Sequence, residues 1–202
     1  MTKITQLSQL DLTADYNYAD YITWQLNETV ELIKGKIALM APAPNVKHQK
    51  ISAYLSSHIF FYFEKKRCQM FSAPFDVRLY DRRKSLLANK EINTVVQPDI
   101  CVICDETKLD EQGCNGAPDW IIEILSKGNS KKEVKTKHQL YAESGVIEYW
   151  LVFPYEEVIQ QYLLNDESGQ YQLINSFAED DIATSYLFPD LEIDLTRLFN
   201  EH

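Results

Sequence analysis

The sequence predicts a single α/β domain over residues 1–202, with helices packed on a sheet of mixed strand direction. Three observations predict it. Short apolar runs rich in β-branched and aromatic residues, such as DWIIEIL and EYWLVF, have the composition of strands. Two stretches, 46–65 and 130–144, carry apolar residues at helical spacing. Their order along the chain is hairpin, helix, three strands, helix, strands. With 202 residues, 45% of them hydrophobic and 25% charged, the chain can bury one core and contains no tract that argues for disorder.

Residues 14–25 are aromatic-rich and predict a short helix capped by Thr13. In VELIKGKIALM, Val30, Leu32, Ile37 and Leu39 alternate with other residues around Lys34-Gly35, a two-residue hairpin turn. Ala41-Pro42-Ala43-Pro44 forms a stiff break, after which Asn45 caps a long helix. On that helix Ile51, Leu55, Ile59 and Phe63 share a face, with Tyr54 and Tyr62 beside them and Lys47, Lys50 and Ser57 opposite. Residues 69–79 predict one strand, and TVVQPDICVI a second after the polar stretch DRRKSLLANKEIN. DWIIEIL is a third, beyond a link at Gly113 and Gly116. The helix over 130–144 carries Val134, His138, Leu140 and Tyr141 and stops at Gly145. EYWLVF and EVIQQYLL then form a hairpin about Pro154, and LFPDLEIDLTRLF closes the core with a short strand and a last helical turn.

A net charge of -10 argues against a protein that coats nucleic acid non-specifically. The charge is uneven, however: Lys127, Lys131, Lys132, Lys135 and Lys137 crowd one segment, while the stretch from Glu156 onward is acidic. The N-terminus lacks a basic start followed by an apolar run, and no segment approaches the ~20 apolar residues of a membrane helix, so the expected setting is cytoplasmic and membrane-free. Of the four cysteines, Cys101 and Cys104 stand at CxxC spacing, but on a strand positions i and i+3 face opposite sides and cannot share a metal. Four cysteines, Cys68, Cys101, Cys104 and Cys114, suggest a metal site or a disulfide pair, but with no second paired ligand set the expectation is neither.

Two carboxylates interrupt apolar strands: Asp99 follows Pro98, and Glu123 lies within DWIIEIL. An unpaired buried charge costs several kcal/mol, roughly, so such residues need a cation, a metal or hydrogen bonds. Hard oxygen ligands suit Mg²⁺, which takes one or two carboxylates and leaves room for substrate phosphates. An alternative is that Asp99 caps a turn and Glu123 pairs with a core lysine. Lys137 shares the helical face of Val134, His138 and Tyr141, from which it can reach toward Glu123.

Glu31 in VELIKG, Ala41-Pro42 with His48, Gln97-Pro98-Asp99, the segment from Ile122 to Ser126, Lys137 with Tyr141, Gly145-Val146 and the segment from Glu148 to Val152 follow one another along the chain. This ordered set is similar to the Uma-two family of restriction-endonuclease-like proteins, within the PD-(D/E)XK nuclease superfamily. The resemblance runs from about residue 30 to the C-terminus. It implies a restriction-endonuclease-like α-β-β-β-α-β core, with the N-terminal hairpin and further C-terminal strands added to it. Pro98-Asp99 would be the first motif and Glu123 the acid of the second. The motif's lysine is expected two residues after Glu123, where this chain has Leu125; Lys137 matches a position to which relatives move it.

The resulting expectation is a metal-dependent endonuclease acting on DNA. Asp99, Glu123 and the Ile124 carbonyl would hold Mg²⁺, with Mn²⁺ as a substitute, and Lys137 would assist the attacking water. Glu31 and His48 are further site candidates, although on sequence alone a hairpin glutamate reads as exposed and a lone histidine at a helix start as structural. The competing expectation is a catalytically silent nuclease-fold dimer serving in binding or regulation. A glycosidase built on two carboxylates ranks below both, since Trp120 and Trp150 read as core rather than as a sugar platform. Arg78, Arg82, Arg83 and Lys84, with Lys127 to Lys137, are the expected phosphate-tracking surface. The aromatic content suggests a homodimer.

Overall fold

The structure, a computed structural model, describes residues 3–40, 45–81, 91–128 and 130–200. In chain order these form α1 (Tyr18–Tyr21), β1 (Val30–Ile33), β2 (Lys36–Leu39), α2 (Val46–Phe63), β3 (Gln69–Ser72), β4 (Val77–Arg78) and β5 (Val95–Val96). There follow β6 (Ile100–Ile103), β7 (Leu109–Asp110), β8 (Gly113–Asn115), β9 (Trp120–Ile124), α3 (Lys131–Ser144) and β10 (Glu148–Phe153). The chain ends with β11 (Val158–Asn165), β12 (Gln170–Ala178), β13 (Ile182–Thr184), β14 (Glu192–Asp194) and α4 (Leu195–Asn200). Among the described residues, no helix is long and apolar enough to cross a membrane.

The central sheet has the order β12-β11-β10-β9-β6-β3. β3, β6 and β9 pair antiparallel in succession, and β10 lies parallel to β9, the crossover being made by α3. Alternation along the strands gives the sheet two apolar faces. Ile100, Val102, Trp120, Ile122 and Trp150 pack against Ile51, Leu55 and Ile59 of α2. Cys101, Ile121, Tyr149 and Leu151 pack against Leu140 and Tyr141 of α3. The α-β-β-β-α-β core is therefore α2-β3-β6-β9-α3-β10, and both tryptophans are fully buried in it, as expected.

The helix ends follow the local chemistry of their residues. Asn45 accepts from His48 N at 3.0 Å and Ser130 from Glu133 N at 3.1 Å, capping α2 and α3. Gly145, at φ 91°, ends α3 in the left-handed conformation that glycine adopts most readily. Lys34 and Gly35, at φ 50° and 86°, make the expected turn between β1 and β2.

Prolines divide what the sequence presents as continuous strands. Residues 69–79 are not one strand: β3 ends at Ser72, Ala73-Pro74 intervenes, and β4 belongs to a second sheet of order β2-β1-β5-β4-β8-β7. TVVQPDICVI divides in the same way, β5 joining the second sheet and β6 the central one, because Pro98 has no N–H to extend a ladder. The link at Gly113 and Gly116 contains the β7/β8 hairpin. β12, which local patterning did not disclose, pairs with β11 along its length. Thr13 is not a cap; Asn17 is, accepting from Asp20 N at 3.1 Å.

Two further expectations are corrected. Cys68 and Cys104 form a disulfide, because the β3/β6 register that pairs Gln69 with Ile103 brings these flanking residues together. Cys101 and Cys114 are free and buried. Arg78 is no surface residue: it is 1% exposed and pairs with Asp110 at 2.6 Å. Arg82, Arg83 and Lys84, like the break at residues 41–44, lie outside the described residues.

Candidate active site

The cleft lies where the two sheets and the N-terminal end of α2 meet α3. β1 alternates, sending Leu32 into a small core with Tyr18 and Val95 and turning Glu31 to the cleft. Asp99 sits just after Pro98, at the point where the chain passes from one sheet to the other. Glu123 projects from the middle of β9 on the α3 side, and Lys137 reaches it from the second turn of α3. His48 enters from the first turn of α2, held there by the Asn45 cap. The five side chains that the sequence proposes are thus brought together, with the Ile124 backbone, in one cleft.

Lys137 Nζ stands 2.9 Å from Glu31 Oε1 and 3.1 Å from Glu123 Oε1. Tyr141 OH also donates to Glu123 Oε1, and Gln97 N donates to Glu31 Oε1 at 3.0 Å. Asp99 Oδ2 accepts from Ile124 N at 2.7 Å, and Asp99 Oδ1 lies 3.3 Å from His48 Nε2. Glu31, at 5% exposure, is therefore not the exposed hairpin residue its sequence context suggests, since β1 is an interior strand flanked by β2 and β5. His48 is buried beside the Asp99 carboxylate.

The electrostatics follow from two carboxylates sharing one lysine, with a third carboxylate, Asp99, close to Glu123. Burial pushes the Glu123 carboxyl up to about 7; Lys137 pulls it down, while Asp99 and Glu31 add to the rise. Burial also works against the Lys137 ammonium, but Glu123 and Glu31 outweigh it and hold the proton more firmly than in water. The same contest raises the pKa of His48, with desolvation opposed by Asp99 and the Ile124 carbonyl.

These residues fit a divalent cation. Glu123 Oε1 takes both hydrogen bonds, from Lys137 and Tyr141, so Oε2 is left for a ligand, and Asp99 lies close enough to raise the Glu123 pKa. Hard oxygen donors with surplus negative charge are the chemistry that Mg²⁺ takes, through one or two carboxylates and water. Among the described residues, no group of three or more His, Cys, Asp or Glu side chains converges as a metal cluster.

Sequence reasoning missed Asp76. Its carboxylate accepts from Gln97 Nε2 at 2.8 Å and from Tyr18 OH at 3.1 Å, bracing the Gln97 backbone that holds Glu31. No local pattern marks it, because its partners lie 21 and 58 residues away. Lys137 is also separated from its neighbours in the segment: it points inward, while Lys127, Lys131, Lys132 and Lys135 remain exposed.

The Uma2 family, described as "Putative restriction endonuclease", matches residues 18–196. Among solved structures, one described as a "putative nuclease belonging to DUF820" from Anabaena variabilis ATCC 29413 is similar in fold, with a TM-score of 0.69. It is 24% identical, over 91% of this chain and 97% of that one. No curated protein matches the chain. With its core and cleft spanned by that family match, the chain belongs to the Uma2 family of restriction-endonuclease-like proteins.

Proposed function

We propose that the protein is a metal-dependent endonuclease that hydrolyses DNA phosphodiester bonds, using Mg²⁺ or in its place Mn²⁺. The observation that carries this reading is the surplus of negative charge in the cleft, where Glu31 and Glu123 share the Lys137 ammonium and Asp99 lines the same cleft beside His48. Held by Asp99, Glu123 and the Ile124 carbonyl, the ion would supply positive charge to the phosphate oxygens and lower the pKa of the attacking water. Lys137 has three donors, two of them engaged by Glu31 and Glu123, so the third is left to orient the water or a phosphate oxygen. Glu31 is a positioning residue, holding Lys137 by a second ion pair. His48 and the Ile124 N–H fix Asp99, and Tyr141 fixes Glu123. Leu125 occupies the position of the missing strand lysine, and Lys137 reaches Glu123 from α3 in its stead.

The second reading, a catalytically silent nuclease-fold module, draws on the same ion pairs: Glu123 with Lys137 and Asp99 with His48 satisfy much of the buried charge without a metal. Calorimetric titration of Mg²⁺ and Mn²⁺ into wild type and Asp99→Ala, followed by incubation with supercoiled plasmid, separates the two. Metal binding and nicking by wild type alone support hydrolysis, whereas a wild type that binds no metal makes the carboxylates structural. The proposed working form is a homodimer, which would present two clefts to the two strands of DNA. Exposed Phe60 and Phe61 on α2 favour it, and sedimentation equilibrium tests it.

A further inference from the structure

A second recess opens directly from the metal cleft, sharing Leu125, Ser126, Val134 and Leu151 with it. Its chemistry is different. Where the first cleft is lined by carboxylates, this one carries three lysines, Lys127, Lys131 and Lys135, against the single acid Glu156. Its floor and wall are aromatic, formed by Phe153, Tyr155, Tyr162 and His138.

The rings are held in place. His138 meets Tyr162 edge-on at 4.9 Å between centroids, and burial lowers its pKa, which disfavours the imidazolium. Tyr162 donates its hydroxyl to Gln160 at 2.7 Å. Tyr155 is 45% exposed, accepts from Asn45 Nδ2 at 3.1 Å, and has Lys127 Nζ 4.5 Å from its ring centre. Lys47 Nζ lies 5.7 Å from the same ring centre, and ammonium groups beside a part-exposed aromatic ring are suited to a nucleotide: the cations take the phosphate and the ring takes the base. In a chain of net charge -10, a lysine-rimmed recess adjoining the cleft is a local exception, and its sign complements a phosphodiester strand.

An intact duplex buries the faces of its bases and offers an aromatic floor nothing to stack on. We infer that this recess receives an unpaired nucleobase of the substrate strand, with the adjoining phosphate on Lys127, Lys131 and Lys135. The protein then prefers single-stranded or locally unpaired nucleic acid to intact duplex. The inference rests on the endonuclease reading for the strand's course through the first cleft.

The test is fluorescence anisotropy in metal-free buffer, with a short labelled single strand of mixed sequence and its duplex as probes. Wild type is expected to bind the single strand about tenfold more tightly than the duplex. Tyr155→Ala should lose about tenfold in single-strand affinity, Tyr155→Phe should keep it, and duplex affinity should stay the same in both. Equal affinity for the two probes, or an unchanged single-strand affinity in Tyr155→Ala, overturns the inference. Parallel digestion of both probes with Mg²⁺ keeps the two readings apart. Duplex cleavage as fast as single-strand cleavage and indifferent to Tyr155 rejects the recess while the nuclease stands. Tyr155-dependent binding with no cleavage of either probe rejects hydrolysis while the recess stands.

Discussion

Lys137 holds two buried carboxylates together, so its removal has two separable consequences. Lys137→Ala is expected to reduce plasmid nicking at least about a hundredfold, through loss of a donor at the reacting phosphate. It also leaves Glu31 and Glu123 buried without their cation, which costs about 3 kcal/mol in metal-free urea denaturation. Cleavage at the wild-type rate would remove Lys137 from the mechanism. Glu123 supplies the pH dependence. Its folded pKa, about 7, lies above its ordinary value of 4.5, so the folded state favours the protonated acid. The resulting stability is fully present below about 4.5 and is lost as pH rises through about 7, a change of about 3 kcal/mol. In EDTA, wild type should therefore melt lower at pH 8 than at pH 5, and Glu123→Gln should flatten that difference. An equal pH slope in the variant would show that Glu123 is not the group responsible.

At the scale of elements, the two sheets are joined at proline breaks, and Asp99 lies on one of them. Pro98 ends the ladder of β5 and lets β6 begin in the other sheet, which leaves Asp99 at the seam with its carboxylate free to take the Ile124 N–H. The Cys68–Cys104 bond secures the opposite end of the β3/β6 pair. Closing a loop of sequence separation 36, it is expected to contribute about 4 kcal/mol, read as the loss in urea stability of Cys68→Ser or of wild type in reductant. Unchanged stability under reduction would show that the strand pairing needs no cross-link. Such bonds persist in oxidising compartments, so trapping the thiols in cells also tests the cytoplasmic expectation. Cys101 and Cys114 should react only after unfolding, because both are buried and burial raises their pKa values.

Over the whole molecule, metal and fold are linked. A cation bound by the folded state alone stabilises it by about 2.7 kcal/mol at a hundred times its dissociation constant. Mg²⁺ should therefore raise the melting temperature of wild type and leave Asp99→Ala unmoved. A rise of equal size in both would place the bound ion elsewhere on this acidic chain. On the proposed function, the two neighbouring clefts, one lined by carboxylates and the other by lysines and rings, would give a protein of net charge -10 a local means of holding a polyanion.

Local chemistry made much of this readable from the sequence. Caps at Asn45 and Ser130, the stop at Gly145 and the Lys34-Gly35 turn depend on residues a few positions apart, and the apolar periods of α2, α3, β9 and β10 give their own faces. Asp99, Glu123 and Lys137 could be singled out because charge on an apolar element needs a partner wherever the element goes. What the tertiary structure alone decided are the pairings between distant segments. These are the burial of Glu31, the division of two apparent strands between two sheets, the Cys68–Cys104 register, the bracing by Asp76 and the withdrawal of Arg78 from the surface. Each depends on a strand neighbour dozens of residues away, and the period of a single strand carries no information about which strand lies beside it.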